Sequence, residues 1–147
     1  GNTYENSCIR PMPGVVSLIQ EIRGRGMKTG LVTSTSTRMI MIALNRMRMT
    51  ALLDVVLCGD MCANHQPDPE CYKQAMDYLG AEPCKCNVFE DAAVSIHAAR
   101  LAGARVAAYR GSGIQQDVSE ADLIVDSYDE CKDMLDDIMQ GRIMPCK

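Results

Sequence analysis

Apolar positions along the chain alternate between two spacings. Val15, Leu18, Ile19 and Ile22 fall on one helical face, and Gly24 and Gly26 follow as a stop. The run 28–33 then reads as a short strand, and the hydroxyl-rich stretch 34–37 as a turn. Thr37 is placed to cap a helix over about 38–48. A second strand is predicted at 54–58 and a loop at 60–66. Pro67-Asp68-Pro69 opens a helix through Leu79, with Gly80 as its stop. The alternation repeats: a strand at 87–90, a helix at 92–102 stopped by Gly103, and a strand at 105–109. The loop Gly111-Ser112-Gly113, a short strand at 121–125 and a helix at 128–139 complete it. Strands and helices in this rhythm predict an α/β chain with right-handed crossovers and a mostly parallel sheet covered on both faces. Met39, Met41, Met47 and Met49 read as core or interface filler, and residues 2–10 as polar and uncommitted.

Size and charge narrow the classes. At 147 residues and 16.1 kDa the chain is one domain by expectation, with room for a core. The net charge is −4. Lys and Arg are not clustered, which argues against nucleic acid. No apolar run reaches the ~18 residues of a membrane span, and no signal-peptide pattern opens the chain. Several of the eight cysteines sit inside apolar runs, as Cys58 does in Val55-Val56-Leu57-Cys58. That placement suits reduced thiols acting as small hydrophobes in a cytoplasmic protein. Cys58, Cys62 and His65 are irregularly spaced and lack a fourth ligand, so no zinc site is expected.

Candidate chemistry gathers after three of the predicted strands, where ligands of parallel sheets bind. Thr33, Ser34 and Thr35 offer hydroxyls and amides near a helix N-terminus, suited to phosphate oxygens. The second loop carries His65-Gln66-Pro67-Asp68-Pro69-Glu70. The third is the most informative: Asn87-Val88-Phe89 runs straight into Glu90 and Asp91. Two adjacent acids at a strand end are poorly explained by packing. A hard cation such as Mg²⁺ is one good reason to gather them, because it takes oxygen ligands and often bridges to substrate phosphate. Each loop also has an ordinary reading as a helix cap or helix start. Order and spacing together carry more than any one loop.

From about Pro11 to Tyr109 that order resembles the haloacid dehalogenase superfamily of phosphohydrolases, in its β-phosphoglucomutase-like branch. Pro13-Gly14 opening a helix, then Gly26-x-Lys28 leading into Leu31-Val32-Thr33-Ser34, is similar to the family's second motif. Gln66-Pro67-Asp68-Pro69-Glu70-Cys71-Tyr72 is similar to the third, usually Lys-Pro-x-Pro-Asp-x-[Phe/Tyr]. Val88-Phe89-Glu90-Asp91-Ala92, with Ile96-x-Ala98-Ala99 and Ala102-Gly103, is similar to the fourth. The resemblance implies a Rossmann-like three-layer fold. It assigns phosphate binding to Thr33 and Thr35, direct Mg²⁺ ligation to Asp91, and ligation directly or through water to Glu90.

Two departures shape the functional reading. The family's catalytic Lys is replaced by Gln66, which can donate a hydrogen bond but brings no charge. Lys73 is a stand-in only if it turns toward the site. The family's Asp-x-Asp pair, nucleophile and general acid/base, has no counterpart, because no two aspartates stand two residues apart. By this resemblance 11–147 is a partial core domain, lacking the first motif, the cap and the central first strand. Residues 1–10 are then a disordered or sheet-filling segment. The gap left by the strand is to be filled by a complementing N-terminal segment, by a second copy of the chain, or by direct pairing of its neighbours.

The expected function is Mg²⁺-dependent phosphoryl transfer on a small phosphorylated metabolite, as phosphatase or phosphosugar mutase, in a fragment inactive alone. The alternative is a non-catalytic phosphate- or metabolite-binding regulatory domain with a degenerate site. A generic flavodoxin-like receiver fits less well, because motif-like residues crowd three strand ends.

Overall fold

The computed structural model describes residues 14–111, 113 and 116–143. The segment 1–10, Cys8, Ser112 and Cys146 lie outside them. Five strands and five α-helices follow the predicted order. They are α1 (Val15–Gly24), β1 (Gly30–Thr33), α2 (Thr37–Met47), β2 (Val55–Cys58), α3 (Glu70–Leu79), β3 (Asn87–Glu90), α4 (Ala93–Leu101), β4 (Arg105–Tyr109), β5 (Leu123–Val125) and α5 (Tyr128–Met139). Short 3₁₀ turns lie at Thr50–Leu52, Gly59–Met61 and Pro83–Lys85.

All described strand pairings are parallel. β1 pairs with β2, Gly30 opposite Val55 and Thr33 opposite Cys58. β3 pairs with β4, Asn87 opposite Arg105, and β4 with β5, Ala107 opposite Leu123. These pairings form two sheets, β1-β2 and β3-β4-β5. Direct pairing of β1 with β3 is therefore corrected: among the described residues both keep an unpaired edge. A cavity of about 490 Å³ lies along those edges, lined by Gly30, Leu31 and Val32 from one side and Asn87, Val88, Phe89 and Glu90 from the other. Its effect shows in burial. The last four residues of β4 are buried, whereas every residue of β3 stays half-buried. The side-chain oxygen of Asn87 is buried without a hydrogen-bond partner.

Helices cover both faces, as the amphipathic spacing requires. On one face Tyr72 and Met76 of α3 join Ile96, Ala98 and Ala99 of α4 over Val106 and Ala108. On the other, Leu18 of α1 packs with Cys131 and Leu135 of α5, against Tyr109 and Val125. Ala107 on that face meets Ile138. The period-two alternation of Val106, Ala107, Ala108 and Tyr109 thus serves both layers. No described helix is long and apolar enough to cross a membrane.

Two local expectations change. Ser36, not Thr37, caps α2, its hydroxyl accepting from the Met39 amide, and the helix starts at Thr37. The cysteines are not uniformly thiols. Cys62 and Cys71 are joined in a disulfide, while Cys58 is free and buried, as its apolar run predicts. The bridge also removes Cys62 from any zinc set. Spacing in sequence does not reveal that the start of α3 folds back against the β2 loop.

Candidate active site

The first loop is built by a close approach. A Cβ on Gly59 would lie 2.5 Å from the Ser34 carbonyl oxygen, so only glycine lets the loop after β2 touch the loop after β1. The Gly59 amide donates to the Thr35 carbonyl at 3.3 Å. Thr33 Oγ1 accepts from the Thr35 amide at 3.2 Å, which leaves its O–H free to donate outward. Asp60 takes the Thr37 amide at 3.0 Å and the Thr37 hydroxyl at 2.6 Å. Those contacts hold the Asp60 carboxyl below its ordinary pKa, the Thr37 hydroxyl contributing most. Ser34 is exposed, and Thr33 and Thr35 are half-buried.

The second loop is pinned at both ends. The Cys62–Cys71 disulfide closes it, and the Glu70 carboxylate accepts from the Ala63 amide at 3.3 Å and the Asn64 amide at 2.6 Å. Asp68 Oδ1 accepts from the Glu70 amide at 2.9 Å, turning the chain into α3. Within this ring Gln66 points to α4, where its Oε1 accepts from Ser95 Oγ at 2.7 Å.

The two acids of the third loop are not equivalent. Glu90 is internal: its Oε2 accepts from the Tyr72 hydroxyl at 2.9 Å and its Oε1 from the Asp91 amide at 3.1 Å. Burial pushes its pKa up to about 7 against those hydrogen bonds. Tyr72 is raised out of the physiological range, by burial first and then by the Glu90 charge. The half-buried Asp91 accepts no hydrogen bond on its carboxylate among the described residues. Tyr128, stacked on Tyr109 at 4.2 Å and edge-on to Phe89 at 6.5 Å, walls this side.

Ser95 ties the Gln66 loop to α4 and Tyr72 ties α3 to the end of β3, at Glu90, while Ser34 and Thr35 contact the start of the loop after β2 at Gly59. Lys73 is exposed on α3, as a solvated lysine would be. Sequence reasoning missed Asp60, Ser95 and the partnership of Tyr72 with Glu90. Ser95 stands one helical turn after Asp91, and that spacing was the available signal. Among the described residues no group of three or more acids, histidines and cysteines gathers as a metal cage. A Mg²⁺ that keeps most of its waters needs only one or two protein carboxylates, so Asp91 with Glu90 behind it fits.

A parallel α/β core of this kind places its ligand sites beyond the carboxyl ends of the strands. The profile of the haloacid dehalogenase-like hydrolases matches residues 2–109, and the chain belongs to that family. It is 34% identical over 98 residues to a phosphorylated carbohydrates phosphatase of Thermotoga maritima, covering 67% of this chain and 45% of that protein. It is 30% identical over 119 residues to a validoxylamine A 7'-phosphate phosphatase of Streptomyces hygroscopicus subsp. limoneus, covering 81% and 56%. A β-phosphoglucomutase structure from Clostridium difficile superposes with a TM-score of 0.75 at 26% identity, covering 89% of this chain and 57% of that one. The chain thus spans about half the length of the curated relatives it matches.

Proposed function

We propose that this chain is the phosphate- and metal-binding part of a phosphoryl-transfer enzyme acting on a small phosphorylated metabolite, most simply a phosphorylated sugar. The observation that supports the reading is the pairing of Asp91 with an internally held carboxylate, Glu90, where α3 and the Gln66 loop meet the end of β3. The sugar phosphate class comes from the names of the relatives.

In this reading the Thr33 hydroxyl and the Thr35 region hold phosphate oxygens, and Gln66 donates a neutral N–H to the transferring group. Asp91 would hold Mg²⁺ directly, with Glu90 behind it. When bound, that cation would offset phosphate charge. The nucleophile would arrive on an apolar strand docked along the cavity between β1 and β3, its last residue beside Glu90. Its carboxylate attacks phosphorus, the bond to the leaving oxygen breaks, and the acyl phosphate is then hydrolysed or passed to a second hydroxyl. The strand can come from the same gene product or from a second copy.

The test is hydrolysis of a generic aryl phosphate. The chain alone is expected to show none, and the chain with a strand ending in Asp-x-Asp fused ahead of it is expected to gain Mg²⁺-dependent turnover. Turnover by the chain alone, with contaminants excluded, contradicts the need for a docked nucleophile. A folded fusion that binds phosphate without turnover favours the second reading, a phosphate-binding regulatory domain. The specific observation behind that reading is the neutral Gln66, whose acceptor end is already used inside the protein.

A further inference from the structure

Charge is unevenly divided along this chain. Between Ile22 and Leu53 it carries Arg23, Arg25, Lys28, Arg38, Arg46 and Arg48 and no acid, in a protein of net charge −4. Arg23 is paired with Asp54, and Arg25 with Glu21 and Asp136. Arg38, Arg46 and Arg48 make no side-chain ion pair or hydrogen bond among the described residues. They stand apart in sequence, and helical spacing gathers them. Arg38, Met41, Asn45 and Arg48 follow one another at three- and four-residue steps with Arg46 beside them, and all are exposed. Met41 is left 38% exposed in the middle of this face. Arg46 and Arg48 stand at the carboxyl end of α2, where the helix dipole favours a cation. Arg38 stands in the first turn, where the dipole favours an acid, and no acid occupies that turn.

α5 carries the opposite charge. Asp129, Asp133 and Asp136, with Gln140 after them, fall on one face at three- and four-residue steps, and all are exposed. The carboxylates of Asp129 and Asp133 have no partner among the described residues. Each stripe is about 15 Å long at the helical rise. Both helices lie in one layer. Leu18 of α1 packs with Cys131 and Leu135 of α5. β1 and β3 flank the cavity, so the crossover β1–α2–β2 steps away from it in the direction opposite to β3–α4–β4. Right-handed crossovers then put α2 on the face opposite α4, which is the face of α1 and α5. The 3₁₀ turn after α2 touches α1 there. α1 thus lies between a basic helix and an acidic one, and α2 and α5 both run back along a parallel sheet in the same direction.

We propose that this layer is a self-complementary interface, through which two copies of the chain pair about a two-fold axis along α1, setting α2 of each on α5 of the other. That axis keeps the helix direction and reverses the helix order, so Arg38 faces the Asp129 end and Arg46 the Asp136 end. Rotation about the in-plane axis at right angles would set α2 on α2 and α5 on α5, and like charges reject it. Each contact occurs twice in such an isologous pair. A single exposed ion pair contributes little, so the assembly rests on the doubled network and on Met41 and Met139, both partly exposed, beside the charges. A second copy is the partner that fits, because the chain itself carries an acidic stripe of matching length in the same layer.

Sedimentation velocity of the whole chain tests this. At about 0.1 M salt the chain should sediment as a dimer, and at about 1 M, where charges are screened beyond about 3 Å, as a monomer. Arg38→Glu with Arg46→Glu should give a monomer, and so should Asp129→Lys with Asp133→Lys. An equimolar mixture of the two variants should restore the dimer, because the two reversed helices then face each other. Circular dichroism checks that each variant is folded. Should Asp129→Lys unsettle the first turn of α5, Asp133→Lys alone takes its place. A wild type that stays monomeric at the lower salt overturns the proposal, and its retention on a polyanion resin would then assign the basic face to a polyanion instead. A dimer insensitive to salt and to both variants places the interface elsewhere, such as the unpaired edges of β1 and β3, and overturns it too. A mixture of folded variants that stays monomeric does the same.

Discussion

The Tyr72 hydroxyl donates to Glu90 Oε2 at 2.9 Å, tying the first turns of α3 to the end of β3. Both residues line the cavity between β1 and β3. The bond also makes Glu90 the internally held acid of the pair. The relationship has consequences that can be measured.

Stability should depend on the protonation of Glu90. Burial raises its folded-state pKa to about 7, above that of an unfolded glutamate. The folded state therefore holds the proton more tightly. This contribution is fully present below the unfolded value and is lost as pH rises through about 7. Its order of magnitude is about 3 kcal/mol, as an upper figure. Urea unfolding at about pH 5 and about pH 8 should show the loss in the wild type, and Glu90→Gln should remove most of the difference. An equal pH dependence in the variant would place the titrating group elsewhere.

Mg²⁺ should stabilise the protein once the strand that fills the cavity is present. At ten times its Kd a ligand adds ~1.4 kcal/mol, a shift of several degrees in Tm. Asp91→Ala should abolish the shift, whereas Lys73→Ala on the exposed face of α3 should leave it intact. A shift that survives Asp91→Ala takes that carboxylate out of the metal site.

Gln66→Lys sets two effects against each other. The lysine adds the cation that offsets phosphoryl charge, so turnover of a completed enzyme should rise. It also leaves Ser95 without its acceptor, costing ~1 kcal/mol of stability, and sets a positive charge near Glu90 that lowers the glutamate pKa. Carboxyl-carbon NMR of Glu90 and a thermal melt read these separately. If Glu90 titrates as in the wild type, the new ammonium does not face it.

Reducing the Cys62–Cys71 bridge should cost ~2–3 kcal/mol, the loop-closure value for a ring of this size. Hydrogen exchange should then rise first in residues 63–69, because only hydrogen bonds, those to Glu70 and Gln66 among them, would then hold the loop. Uniform loosening of the whole chain would show that the bridge supports α3 and β2 rather than the Gln66 loop.

Much of this molecule is legible in its sequence because the signals are local. Helical spacing in 15–22 and 128–139, glycine stops at Gly80 and Gly103, and short apolar runs gave elements close to those observed. Glu90 and Asp91 stand out as candidates in the sequence because charged residues at the end of an apolar strand conflict with packing. The Cys62–Cys71 bridge and the Asp60 contact with Thr37 were not legible. Each joins residues from different elements whose approach depends on crossovers and on the Gly59–Ser34 contact.

The sequence by itself determined the element order, the parallel α/β class and the candidate residues, since periodicity, caps and charge placement are properties of neighbouring positions. Only the tertiary structure decided that β1 and β3 stay apart around a cavity. It also decided which of two adjacent acids is internal, and that Ser95 bonds Gln66 while Tyr72 bonds Glu90. These depend on burial and on distances of 2.7 to 2.9 Å between separate loops, which packing of the whole chain creates and no local pattern encodes.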